Sequence, residues 1–121
     1  LAAVVAGAPS SDLWQSMDMA GFLTGGTSTY SWRDKPLPFL PYSSVNFLAG
    51  PTVLEIHTKS LQSAAAYPAA LIAIEKTRAP VFLLCGKDRI WPSCDMVSTL
   101  ADRAAKNNAP VPEILRYPDT G

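Results

Sequence analysis

PVFLLCGKDRIWPSCDMVSTLADRAAKNNAPVPEILRYPDTG, residues 80–121, decides the fold. Pro80 to Cys85 is a short, continuous apolar run with β-formers, which reads as a buried strand. Gly86-Lys87-Asp88-Arg89 is a turn at its carboxyl end. Ser93 is placed to cap a helix, and Asp95 in the first turn complements the helix dipole. Met96, Val97, Leu100, Ala101 and Ala104 recur at helical spacing and give one apolar face. Asn107-Asn108 and Pro110 close the helix. Pro112 to Tyr117 is a further strand, and Pro118 to Gly121 a loop. A strand–helix–strand unit of this length implies parallel strands joined by a right-handed crossover.

Outward from that unit the pattern is less regular. Leu1 to Ala6, LAAVVA, is apolar and stopped by Gly7 and Pro9, which predicts a strand buried on both faces. A short buried helical segment would show the same run, and the Gly and Pro stops favour the strand. Residues 9–26 are mixed; Pro9, Ser10, Ser11 and Asp12 suit the start of a short helix, and Gly25-Gly26 ends any element. Residues 27–42, TSTYSWRDKPLPFLPY, alternate around Tyr30 and Trp32, turn at Arg33-Asp34-Lys35, and then carry Pro36, Pro38 and Pro41. Each proline lacks a ladder donor, so this is an irregular hairpin and a loop, not a central strand. VLEIHT (53–58) fits a short strand or a helix. The Ala-rich KSLQSAAAYPAALIA (59–73) is expected to be helical to about Tyr67, where Pro68 interrupts it. The fold class is therefore α/β, a mostly parallel sheet with flanking helices and an irregular hairpin insertion.

Composition narrows the function. The 121 residues suit one domain, are 48% apolar and can build a core. Ten basic and ten acidic side chains balance, which argues against a nucleic-acid footprint or a polybasic membrane patch. No apolar run approaches the roughly 20 residues that span a bilayer. Cys85 and Cys94 cannot build a disulfide framework, nor a four-ligand zinc site with a single His. Free thiols, the lack of a signal-peptide n-region and the short apolar runs point to a reducing, cytoplasmic setting. The chain opens inside a core strand and stops in a turn, which reads as a piece of a larger domain.

Open parallel sheets bind ligands beyond the carboxyl ends of their strands. Asp88 stands there. A carboxylate at that place can orient a histidine and stabilise its imidazolium. The plainer reading is a turn aspartate bonding its own loop. His57, the one histidine, precedes Asp88, the wrong order for a hydrolase base, and reads as a surface residue in a variable connection. Cys85 lies in an apolar strand and acts as a small hydrophobe; Cys94, in a helix's first turn, is the better reactive thiol, with packing the main role of both. Ser10, Ser11 and Ser93 lack a Gly-x-Ser-x-Gly setting and read as caps or loop residues. Tyr30, Trp32 and Phe39 are candidates to line an acyl pocket, or simply to pack the hairpin. There is no dinucleotide fingerprint or phosphate loop.

IEKTRAPVFLLCGKDRIWPSCDM (74–96) and LADRAAKNNAPVPEILRYPDTG (100–121) resemble the C-terminal α/β-hydrolase domain of the acyl-CoA thioesterase and bile acid-CoA:amino acid N-acyltransferase family. AAVVAGAPSS (2–11) and TYSWRDKPLPFLPY (29–42) resemble the same domain in the same order. The likeness is weakest at 43–72. It implies that Asp88 is the acid of a Ser/Cys–His–Asp triad. Many members carry a second Asp just before it; here that position is Lys87. The family's base follows a Tyr-Pro-x-x-Gly turn, which is Tyr117 to Gly121, so the base would be the next residue. The nucleophile elbow would lie upstream of Leu1. The resemblance thus makes residues 1–121 a partial hydrolase domain with one triad member, inactive alone on thioesters. It implies an acyl-CoA or ester substrate, no bound cofactor, no metal, no nucleic acid and no membrane partner. Oligomeric state is left open. An ester hydrolase of dienelactone-hydrolase type and a non-catalytic α/β module are the other readings.

Overall fold

A computed structural model of the chain describes residues 2–18, 21, 24–43 and 47–120. In chain order its strands and α-helices are β1 (Val4–Gly7), β2 (Ser31–Trp32), β3 (Lys35–Pro36), α1 (Val53–Leu61), β4 (Val81–Gly86), α2 (Ser93–Lys106) and β5 (Glu113–Tyr117). Short 3₁₀ turns lie at Phe47–Ala49, Ala64–Ala66, Pro68–Ala70 and Ile74–Lys76. Contacts divide the chain into two compact units, 1–11 with 72–121, and 12–71.

The first unit is α/β. Its sheet has the order β1-β4-β5. Both pairings are parallel, with Val4 opposite Val81, Gly7 opposite Leu84, Phe82 opposite Glu113 and Gly86 opposite Tyr117. The β4–α2–β5 unit is the one the sequence predicts. Side chains alternate across a strand, so Leu83 and Cys85 share one face of β4. There they are buried with Ile74, Val97, Leu100 and Ala104. The helical spacing holds: Met96, Val97, Leu100 and Ala104 all face inward. Full burial of each large apolar side chain is worth about 1.5–3 kcal/mol. Arg103 on α2 grips Glu75 with two hydrogen bonds, Nε to Oε2 at 2.5 Å and Nη2 to Oε1 at 2.8 Å. That pair fixes α2 to the turn that leads into β4.

Two expectations fail in this unit. The opening strand is not buried on both faces: its burial alternates, and Val5 is 71% exposed. Continuous apolar composition cannot distinguish a central strand from an edge strand, and β1 is an edge among the described strands. Ser93 does not cap α2. It is the first helical residue, Pro92 holds the cap position, and no side chain bonds there. Ser93 instead turns inward and is buried, its hydroxyl reaching the Gly86 carbonyl at 3.5 Å.

The second unit has little regular structure. Residues 12–15 do not begin a helix. They run extended, with isolated bridges from Asp12 to Leu71, Trp14 to Leu40 and Gln15 to Ser28. The hairpin expected at 27–42 is present, and β2 pairs antiparallel with β3. Arg33 and Asp34 both have positive φ, 49° and 63°, the conformation of the two-residue turns that match strand twist. Pro36 sits at the end of that two-residue ladder, consistent with its missing donor.

VLEIHT is helical. Thr52 and Glu55 form a reciprocal capping box: the Thr52 hydroxyl accepts from the Glu55 amide, and the Glu55 carboxylate accepts from the Thr52 amide at 2.6 Å. The Thr52 amide, and the Thr52 hydroxyl that donates to the same oxygen at 2.9 Å, hold the Glu55 carboxyl below its ordinary range. The Ala-rich stretch does not continue the helix to Tyr67. α1 ends at Leu61, and only single 3₁₀ turns follow. Pro68 disfavours helical geometry in the residue before it, and Tyr67 sits at φ −125°, ψ 55°. That accounts for the break at Tyr67, but Pro68 lies too far along the chain to end α1 at Leu61.

Candidate functional site

β1, β4 and β5 are parallel and all end on one side of the sheet, so the loops leaving them lie together. Backbone bonds join them. The Lys87 amide donates to the Thr120 carbonyl at 2.7 Å, tying the loop after β4 to the turn after β5. Trp91 Nε1 donates to the Pro9 carbonyl at 3.4 Å, tying the same loop to the segment after β1. Gly86 makes the first junction possible. A Cβ there would stand 2.5 Å from the Thr120 carbonyl oxygen. At the end of β1, Ala8 is held at φ 46°, a left-handed conformation costly for a residue with a Cβ. Its amide donates to the Leu84 carbonyl at 2.8 Å.

Asp88 is half-buried in this convergence. Its amide bonds the Gly86 carbonyl at 3.0 Å, and its Oδ1 accepts from the Ile90 amide at 2.9 Å. The second bond is the Asx turn of the plainer reading. Among the described residues, Oδ2 takes no protein donor. Lys87 and Arg89, on either side, are exposed. The loop therefore offers a carboxylate with one oxygen committed to its own geometry and the other available to an acceptor role. Such a group can orient an imidazole; alone it holds neither nucleophile nor base.

The cysteines correct the free-thiol expectation. Cys85 and Cys94 are joined as a disulfide, with Cα atoms 5.1 Å apart. The argument for a reducing compartment loses its premise. The reason is geometric: the 86–92 loop returns the first turn of α2 over the end of β4, bringing the two residues into bonding range. A cysteine at a strand end and another in the first turn of the next helix are the sequence signal for this pairing. Arg116 on β5 reaches the same spot. Its Nη1 donates to Cys85 Sγ at 3.7 Å and to the Cys94 carbonyl at 3.4 Å, and its Nη2 donates to Ser98 Oγ at 2.9 Å.

His57 belongs to the second unit and is not a surface residue. It is 4% exposed on the inner side of α1. Its Nδ1 lies 2.9 Å from the Val53 carbonyl, which only accepts, so that nitrogen carries the proton. Trp14 and Tyr42 meet the ring edge-on at 5.1 and 5.6 Å and stack on each other at 5.4 Å. Burial raises the Tyr42 phenol above its ordinary value. Sequence order had already set His57 apart from a hydrolase base, and its observed role is packing. Tyr30 and Trp32 do not pack the hairpin down. They are 56% and 67% exposed, with the Arg33 guanidinium over the Trp32 ring at 5.8 Å. Ser11 is fully buried, its carbonyl accepting from the Ile72 amide at 2.8 Å.

Among the described residues, no three His, Cys, Asp or Glu side chains converge as a metal ligand set. No helix among them is long and apolar enough to cross a membrane. The chain matches no protein-family model, and no curated protein matches its sequence.

Proposed function

We propose that this chain is part of an α/β-hydrolase acting on acyl-CoA thioesters, as hydrolase or acyltransferase, and that Asp88 is the acid of its Ser/Cys–His–Asp triad. One observation carries the reading: Asp88 lies beyond the carboxyl end of the middle parallel strand, in a loop bonded to the turn where the resemblance puts the approach to the base. A parallel sheet with convergent strand-end loops is the frame such a triad needs. Oδ2 supplies the acceptor. It would hold the imidazole in the tautomer that takes the nucleophile's proton, and stabilise the imidazolium that results. Coenzyme A enters as part of the substrate. The proposal assigns neither nucleophile nor base to any of the 121 residues.

The Asp88–Ile90 Asx turn favours a second reading, a non-catalytic α/β module in which Asp88 only shapes its loop. Kinetics separate the two. The 121-residue chain should not turn over a panel of acyl-CoA thioesters. In a longer chain bearing nucleophile and base, Asp88→Asn should keep the fold and lower kcat by about 10⁴, the loss seen for the corresponding change in a serine protease. Unchanged turnover there would leave Asp88 with the loop role alone. Turnover by the 121 residues that Asp88→Ala abolishes would overturn their expected inactivity and place nucleophile and base among them.

A further inference from the structure

The Cys85–Cys94 bond spans the two ends of the loop that holds Asp88, and neither the sheet nor the triad reading calls for it. Cys85 is the penultimate residue of β4 and Cys94 the second residue of α2, so the bond closes the whole 86–93 segment into a ring. The two sulfurs differ. Cys85 is 3% exposed, whereas Cys94 is only partly buried. A guanidinium, Arg116, contacts the buried one. The other sits in a helix's first turn, where a thiolate is favoured.

We propose that this disulfide is a thiol–disulfide exchange site whose reaction partner is a dithiol, and that opening it loosens the 86–92 loop that carries Asp88. The thiolate of the dithiol attacks Cys94 Sγ, the accessible sulfur. A new S–S bond forms between reductant and Cys94. The Cys85–Cys94 bond breaks, and its electron pair leaves on Cys85 Sγ as a thiolate beside Arg116. The second thiolate of the dithiol then attacks the reductant's own sulfur in the mixed disulfide and expels Cys94 as a thiolate at the helix N-terminus. The dithiol is oxidised by two electrons to its disulfide, the protein cysteines gain those two electrons, and the two protons released by the dithiol protonate Cys85 and Cys94. Arg116 is a positioning residue: its charge lowers the basicity of the departing thiolate, and better leaving groups depart faster.

Besides the covalent ring, the loop is held by local hydrogen bonds that include Lys87–Thr120, Asp88–Gly86, Ile90–Asp88, Trp91–Pro9 and Ser93–Trp91. Without the covalent ring, these local bonds open at lower free energy than the core.

The 121-residue chain tests this with dithiothreitol under native conditions. Thiols are trapped by alkylation and read by mass spectrometry, with amide exchange measured in parallel. Both cysteines should become alkylated while the far-UV spectrum keeps its native form. The Lys87, Asp88 and Ile90 amides should exchange about tenfold faster, and those of Leu83 and Leu100 should be unchanged. Cys94→Ser should speed the same loop amides without reductant. Arg116→Gln should slow reduction about threefold, and Arg116→Lys should restore most of the rate. A bond that opens only when the chain unfolds would overturn the proposal, as would loop amides that are indifferent to both reduction and Cys94→Ser. Reduction at an equal rate in Arg116→Gln would remove Arg116 from the exchange.

Discussion

The two units of this chain are held in different ways. In the sheet unit a few periodic elements place apolar side chains together, and the core follows: Leu83 and Cys85 from β4 against Val97, Leu100 and Ala104 from α2. In the 12–71 unit, specific polar contacts replace periodicity. Gln15 shows this best. It is 4% exposed, and its carbonyl accepts from the Thr29 hydroxyl at 3.2 Å. Its amide donates to the Leu40 carbonyl at 3.0 Å, its Nε2 donates to the Gly21 carbonyl at 3.2 Å, and its Oε1 accepts from the Tyr42 amide at 3.1 Å. Periodic burial is written in sequence as spacing; a hub such as Gln15 is written nowhere but in the fold.

That contrast is open to mutation. Leu100→Ala should have the largest effect. It empties a 2% exposed position and should cost about 2–5 kcal/mol in urea unfolding. A cost under about 1 kcal/mol would mean that the periodic core does not dominate its unit. Gln15→Ala should cost about 1–3 kcal/mol by removing the hydrogen bonds that its side chain makes to the Tyr42 amide and the Gly21 carbonyl. Faster exchange at Tyr42 is its local signature, and Gln15→Glu, which keeps one acceptor but loses the Nε2 donor, should fall between. A neutral Gln15→Ala would collapse the distinction drawn here.

Gly86→Ala tests the junction between the strand-end loops. The added methyl meets a backbone oxygen, not a yielding side chain, so the loop or the 117–120 turn must shift. The expected cost is about 1–3 kcal/mol, with the Lys87 amide losing protection in exchange. A silent substitution would show that Gly86 and Thr120 are not in contact in solution.

The smallest effect is electrostatic. The Arg103 guanidinium holds the Glu75 carboxyl down to about 2, against an ordinary 4.5. A carboxyl depressed by folding contributes stability that is full above its unfolded pKa and lost as pH falls through its folded one. The contribution should therefore fade between about pH 4.5 and pH 2. The Glu75 side chain remains partly in solvent, which screens the pair and keeps its value modest. Thermal melts of the parent and Glu75→Gln should converge toward pH 2 and separate above pH 4.5. A constant separation across that window would rule out the pair as the source.

Legibility tracks the same divide. β4, α2 and β5 were readable because a continuous apolar run and a 3.6-residue period are local signals. The hairpin turn at Arg33-Asp34 was readable from local turn chemistry and the prolines after it. Which strand stands at an edge is not a local property, so Val5 was misplaced in a doubly buried strand. VLEIHT alone fits strand or helix, and the capping box of Thr52-x-x-Glu55, which begins just before it, is the local signal that decides for helix. His57 followed that ambiguity to the surface; once α1 is a helix, its side chain falls on the inner face with Ile56 and Ser60. The cysteine pairing needed only the recognition that one β–α loop separates the two residues. For Asp88 the sequence supplied the position, and the structure adds the Asx turn and the bonded neighbouring loop.

The central claim is that Asp88 presents a carboxylate oxygen to an imidazole at the meeting point of the strand-end loops. A crystal structure of this chain extended to include a histidine base would test it most directly. The account predicts an imidazole nitrogen about 2.6–3.2 Å from Asp88 Oδ2, with Oδ1 still on the Ile90 amide. A carboxylate that bonds only its own loop, with the imidazole oriented by a different acid, would contradict it.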